Sequence, residues 1–294
     1  MSLALPEELI TLLDLQLERN ASELHIQSNT FAYLTIEGKI VKTDIFTDEN
    51  ILWKISETLT SDTLYYGTLI DKKSTDFAFV YKDTYRFRIS IVESFNGLKL
   101  SIRNNNYPIR TFEELGFNPK IWEKPLNQDK GLILIAGSTS SGKTTTIATA
   151  ISNLILKKKC IVTLEDPVEF VFNNDITSIT QRELHNNFFS YADAIRDAMR
   201  MASDVIVVNE LRDKDTIDAT LEAAETGHLV IATVHTKDLN AIENRLILTF
   251  PANEQTLKKE ILNQTLIFKV HQSLVYDSIL KRLRLVYDYE DLII

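Results

Sequence analysis

The chain has 294 residues, 44% hydrophobic and 25% charged, with a formal net charge of −9; this is an ordinary globular composition, and the length holds one large domain or two smaller ones. The acidic balance argues against a nucleic-acid-binding surface, because phosphate backbones attract basic faces. With Cys160 the single cysteine, a disulfide framework and a cysteine-built zinc site are excluded.

The N-terminus, Met1-Ser-Leu-Ala-Leu-Pro-Glu-Glu, lacks the basic region of a signal peptide. No apolar run in the chain approaches the roughly 18–20 residues that span a bilayer. A cytoplasmic protein without a membrane-inserting element is expected. From Pro6 to Arg19, Leu9, Leu13 and Leu17 recur at helical spacing and predict an amphipathic helix. Alternation predicts strands over Ala21–Ile26 and Phe31–Ile36, the latter turning at Glu37-Gly38 into Lys39-Ile40. A helix is expected over Asp48–Leu59, then strands over Thr75–Tyr81, Tyr85–Val92 and Leu98–Arg103, broken at Lys82-Asp83 and Asn96-Gly97. Strands joined by tight turns point to an antiparallel α+β domain. The polar run Asn104-Asn-Asn-Tyr-Pro108 is the expected boundary, giving domains 1–107 and 118–294 with a linker over 108–117.

Beyond Gly116, strands alternate with helices, the signature of a parallel doubly wound sheet. Leu132-Ile-Leu-Ile-Ala136 reads as a buried parallel strand. It runs into Gly137-Ser138-Thr139-Ser140-Ser141-Gly142-Lys143-Thr144, which fits G-x-x-x-x-G-K-[ST] without mismatch, and then into a helix from Thr145 to about Lys157. Strand, glycine-rich loop and helix in this order cradle phosphate. The glycines let backbone N–H groups point inward, and the helix N-terminus adds positive charge. Lys143 is expected on the β- and γ-phosphates of ATP, and Thr144 on Mg²⁺.

Cys160 opens the next apolar strand and is expected as inert core. That strand, Ile161–Leu164, ends in Glu165-Asp166-Pro167-Val168-Glu169. Ligands sit beyond the carboxyl ends of parallel strands, so an acid here could activate water. A solvated acidic turn fits the same residues. After a helix expected over Ser190–Ala202, Val205-Ile-Val-Val-Asn209-Glu210 has the form of a second nucleotide motif, a buried strand ending in an acid that serves the metal ion. A helix over Asp215–Thr226 is expected to end at Gly227 in a left-handed cap. The following strand finishes in His235-Thr236, where a histidine could sense the terminal phosphate. An isolated histidine more often fills a structural place, and that reading is kept for His25, His185 and His271. Arg86 and Arg88 alternate on one strand, with Arg103 and Arg110 nearby. An ATPase needs cations on the transferring phosphate, and a ring would let a neighbouring subunit supply arginine.

These residues resemble the ATPases of type IV pili and of type II and IV secretion, most of all the pilus retraction motors. Besides the phosphate loop, the match covers the Asp box Glu165–Glu169, a Walker B stretch ending Glu210-Leu-Arg-Asp213, and the His box Glu225–Thr236. In the first domain Ala21–Ile26, Ile36–Lys39 and Arg86-Phe-Arg88 match, and Glu243-Asn-Arg245-Leu with Phe250-Pro251 continues the likeness. The resemblance implies a RecA-like nucleotide domain after a smaller PAS-like domain. It implies a homohexamer hydrolysing ATP with Mg²⁺, at the inner face of the bacterial inner membrane, against a platform protein of a pilus or secretion machine. It makes Glu169 and Glu210 the catalytic acids and Thr144 and Glu210 the metal residues. Gly137–Thr145 and His228 would be nucleotide contacts, with His235, Arg86 and Arg88 catalytic and Arg103 a further contact. Pilus retraction is expected first. A DotB-like secretion or pilus-assembly motor, or a weakly hydrolysing partner of a main motor, are the alternatives. Two departures stand out. The family usually has glycine where this chain has Asn209, which crowds the site. Retraction motors also continue past the region matching Leu283–Tyr289 into a further helical segment, whereas this sequence stops at Ile294.

Overall fold

Alternating apolar residues in the first third of the chain become an antiparallel sheet backed by helices. The computed structural model describes residues 5–36, 38–60, 65–82, 85–104, 109–172, 175–277 and 282–293. The chain divides into two units, Met1–Tyr107 and Pro108–Ile294. Glu37 and Asp83 of the expected turns, and Asn105–Pro108 of the expected boundary, lie outside the described residues.

The first unit contains α1 (Glu7–Glu18), β1 (Glu23–Gln27), β2 (Thr30–Ile36), β3 (Lys39–Thr47), α2 (Glu49–Thr60), α3 (Tyr65–Lys72), β4 (Ser74–Tyr81), β5 (Tyr85–Ser94) and β6 (Gly97–Asn104). Its strands lie in the order β3-β2-β1-β6-β5-β4, each neighbour antiparallel. Leu9, Leu12 and Leu13 of α1 and Leu52, Ile55 and Leu59 of α2 share one core with Leu24, Ile26, Phe87, Ile89, Leu100 and Ile102. Alternation leaves the polar partners of these residues, Arg86, Arg88 and Arg103 among them, on the opposite face of the sheet. The Asn96-Gly97 hairpin forms as expected, with Gly97 at φ 90°. The strand signal at Lys39-Ile40 underestimates β3, and α3 has no counterpart in the sequence reading, since Gly67 in its first turn weakens the helical signal.

The second unit contains α4 (Phe112–Leu115), α5 (Lys120–Glu123), β7 (Gly131–Ala136), α6 (Lys143–Leu156), β8 (Ile161–Glu165), β9 (Ile179–Glu183), α7 (Tyr191–Met199), β10 (Val205–Val208), α8 (Lys214–Glu225), β11 (Leu229–Val234), α9 (Ala241–Ile247), α10 (Ala252–Thr265), β12 (Leu266–Asp277) and β13 (Arg282–Asp291). The sheet order is β13-β12-β7-β11-β10-β8-β9. Its pairs are parallel except β12 with β13, so a parallel sheet carries an antiparallel edge that the sequence reading did not foresee. Strands β7, β10 and β11 are buried along their whole length, which their unbroken apolar runs dictate. Helices α7, α8 and α9 cover one face, and α4, α5 and α6 the other. Caps fix two helix starts: Ser190 Oγ accepts from Asp193 N at 3.3 Å, and Asp213 Oδ1 from Thr216 N at 2.9 Å.

The stretch expected as linker is packed into this unit. Thr111 and Glu114 form a capping box on α4, Phe112 stacks on Trp122 at 4.6 Å, and Thr149 Oγ1 donates to Arg110 O at 2.7 Å. The aromatic residues Phe112, Phe117 and Trp122 explain this, because together they bury apolar surface that a free linker would expose. Cys160 is only half-buried, at the edge of the core rather than within it. No described helix is long and apolar enough to cross a membrane.

Candidate nucleotide site

Strand β7 delivers the chain to the glycine-rich loop at its carboxyl end. Gly137 has φ 152° and Gly142 φ 88°, a region L side chains rarely adopt. Space is as restrictive as backbone angle. A Cβ at Gly137 would lie 2.3 Å from Gln272 O and 2.5 Å from Ser141 Oγ. Ser138, Thr139 and Ser140 are exposed, whereas Thr144 and Thr145 are half-buried in the first turn of α6.

Lys143 opens α6 and folds back over the loop. Its ammonium donates to Gly137 O at 2.9 Å and Ser138 O at 2.8 Å. Burial pushes its pKa below the ordinary lysine value, and the Glu210 charge opposes that. Ser141 Oγ is buried and has no hydrogen-bond partner among the described residues. A buried ammonium, an unpartnered hydroxyl and the free N–H groups of a helix start are a donor set made for phosphate oxygens. Gln272, which the sequence reading missed, braces this loop from β12. It donates from Nε2 to Ser141 O at 2.8 Å and accepts from Thr146 Oγ1 at 2.9 Å. A lone glutamine in a mixed strand gave no signal for that role.

Parallel register carries the other motifs to the same edge. Val234 lies beside Ala136, Val208 beside Ala232 and Leu164 beside Val208. Glu210 follows β10, and its side chain is 16% exposed. Its Oε2 accepts from Arg212 Nη2 at 2.7 Å and lies 3.4 Å from His235 Nε2. Glu165 closes β8 and accepts from Thr163 Oγ1 at 2.6 Å. A cis Asp166-Pro167 peptide follows, then the half-buried Glu169. Burial raises the phenol of Tyr191, at the start of α7, well above the usual value; the charges of Asp166, Glu165 and Glu210 add to this and Arg212 opposes it. The hydroxyl of Thr144 and the carboxylate of Glu210 are hard oxygen donors suited to a divalent cation that also binds phosphate.

A family model described as type II/IV secretion system protein matches residues 73–278. The chain belongs to this family. It is 30% identical over 277 residues to the type IV pilus retraction ATPase PilT of Pseudomonas aeruginosa, covering 91% of this chain and 78% of that protein. It is 37% identical over 201 residues to a twitching motility protein of Neisseria gonorrhoeae, covering 68% of this chain and 54% of that one. A crystal structure of the pilus retraction motor PilT with bound ADP superposes with a TM-score of 0.90 at 32% identity, covering 98% of this chain and 83% of that one. Membership of the secretion ATPase family makes this chain an ATPase with a nucleotide-binding domain.

Within the family pattern, Asn209 stands where glycine is usual. Asn209 is absent from the described residues with positive φ, and its N–H donates to Leu164 O at 2.9 Å. A side chain at this position therefore costs no backbone strain. His228 lies at the opposite end of the sheet from the Lys143 loop. Its carbonyl accepts from Gly131 N at 3.0 Å, which puts it at the start of β7, six residues before the loop, or roughly 20 Å at the usual strand rise. Its Nδ1 sits 3.2 Å from Ala223 O at the end of α8. Both histidines belong to the His box, but β11 (Leu229–Val234) separates them along its full length.

The arginines belong to the first unit. Arg88 donates from Nε to Asp76 Oδ1 at 3.1 Å and from Nη2 to Asp76 Oδ2 at 2.8 Å. Arg103 lies opposite Arg88 across the strands, and its Nη2 is 3.0 Å from Glu23 Oε1. Arg86 alternates with Arg88 on β5, as the sequence reading expects.

Proposed function

We propose that this chain is a Mg²⁺-dependent ATP hydrolase working as a homohexameric motor that powers type IV pilus retraction. It would act at the inner face of the bacterial inner membrane, against a platform protein. The observation that carries the reading is the convergence of the Lys143 loop, Glu210, His235 and the Glu165–Glu169 segment on one carboxyl edge. The names borne by the relatives, a retraction ATPase and a twitching motility protein, favour retraction over secretion.

In this reading the loop Gly137–Thr145 wraps the phosphates and Lys143 contacts the β- and γ-oxygens. Thr144 and Glu210 hold the cation, which when bound neutralises charge on the phosphate oxygens. Glu169 takes the proton of the attacking water and Glu210 orients it. His235, beside Glu210, senses the terminal phosphate. Arg86 and Arg88, with Arg103 in support, come from the first domain of a neighbouring subunit and stabilise the transferring phosphate, a contribution of roughly 10³–10⁵ in rate for such arginines. To do so Arg88 must leave Asp76.

The test is deletion of the gene. Cells that remain heavily piliated and stop retracting fit the proposal. Loss of pili, or loss of effector export with normal retraction, contradicts it.

A further inference from the structure

The segment between β8 and β9 carries Glu169 and, from Asp166 to Phe172, has no helix or strand. Its backbone therefore lacks a ladder, and its polar groups need side-chain partners. Two residues of the edge strand β9 supply them on either side of Glu169. Val168 N donates to Glu183 Oε2 at 3.0 Å. Gln181 Nε2 donates to Phe170 O at 2.8 Å, and Gln181 Oε1 accepts from Phe172 N at 2.9 Å. The same Nε2 reaches Glu165 Oε1 at 3.1 Å.

We propose that Gln181 and Glu183 are positioning residues that clasp the chain immediately before and after Glu169 and so set where its carboxylate stands. The proposal rests on the reading of Glu169 as the base. Each clasping residue is suited to its task. An amide is the side chain that can donate twice and accept once in this arrangement; a carboxylate cannot donate. Glu183 is 7% exposed and is itself held, accepting from Asn186 Nδ2 while its N–H donates to Asn187 Oδ1 at 2.9 Å. A buried carboxylate so fixed makes a strong, directional acceptor for Val168 N–H. The parallel pairing of Gln181 with Thr163 and of Glu183 with Glu165 ties both to the strand that ends in the acidic segment. A base must stand within hydrogen-bond reach of its water, and a displacement of about 1 Å costs on the order of 10²-fold in rate. The phosphate loop lies on β7, with β11 and β10 between it and β8, so losing the clasp should leave nucleotide affinity intact.

The experiment measures kcat, KM for ATP and ADP affinity for Gln181→Met, which keeps the volume and removes all three bonds. The expected result is a fall in kcat of roughly 30- to 100-fold with KM and ADP affinity within about twofold of the parent. Added to Glu169→Gln, Gln181→Met should cause no further loss, because the two act as one unit. Parent kcat in Gln181→Met, with Glu169→Gln inactive, overturns the clasp and leaves the base assignment standing. Full turnover in Glu169→Gln overturns the base and the clasp with it. A parallel fall of kcat and ADP affinity shows a general structural role and overturns the proposal. If Gln181→Met does not fold, Glu183→Gln is the second variant: a roughly tenfold drop in kcat at unchanged affinity is expected for the lost charge-assisted bond, and parent kcat overturns the proposal.

Discussion

Lys143→Ala is expected to abolish ATP turnover and weaken ADP binding by about 100-fold or more, read by calorimetric titration of ADP. The ammonium already lies inside the loop, on the carbonyls of Gly137 and Ser138, and the residue is buried. Hydrogen bonds to charged groups contribute about 1.5–3 kcal/mol each, and a phosphate oxygen would replace at least one carbonyl. Truncation removes the charge and leaves both carbonyls short of a donor. The pH dependence follows from the direction of the shift. Burial depresses the lysine pKa, so its proton leaves at lower pH than from an exposed lysine. Affinity for ADP in the parent should fall as pH rises through that lowered value, and Lys143→Ala should lose this dependence.

Glu210→Gln should lower kcat by about 10³-fold with ADP still bound, since general acid–base groups contribute roughly 10²–10⁴. The amide matches the carboxylate in size. What changes is the charge that Arg212 and His235 face across 2.7 Å and 3.4 Å. Both groups face a single oxygen, Oε2. Glu169→Gln should behave likewise, with steady-state phosphate release as the measurement. Retained turnover in both variants would remove the acids from the chemistry.

Much of this could be read in the chain before any coordinates. The buried strands β7, β10 and β11 announce themselves as unbroken apolar runs, because both faces of a parallel sheet are covered. The loop residues are fixed by what phosphate needs, and Glu210 and His235 by ending those strands. The rest depended on tertiary partners. The antiparallel edge was hidden since β12 carries Lys269, an unlikely core residue until Glu243 and Glu290 are seen at 2.6 Å and 2.8 Å. Gln181 and Glu183 sit in a polar edge strand that looks like a loop in sequence, and Gln272 in a strand of mixed character. Arg88 and Arg103 read as available cations, and the sheet brings them against Asp76 and Glu23 as ion pairs. His228, a His-box residue by the resemblance, lies at the opposite end of β11 from His235.

The most direct test of the account is a crystal structure with Mg²⁺ and a non-hydrolysable ATP analogue. The expected result has the terminal phosphate within hydrogen-bond distance of Lys143 Nζ, drawn away from Gly137 O or Ser138 O, with Glu210 and His235 on the same side. A structure at saturating analogue in which Lys143 keeps both carbonyls and the nucleotide lies elsewhere would contradict it.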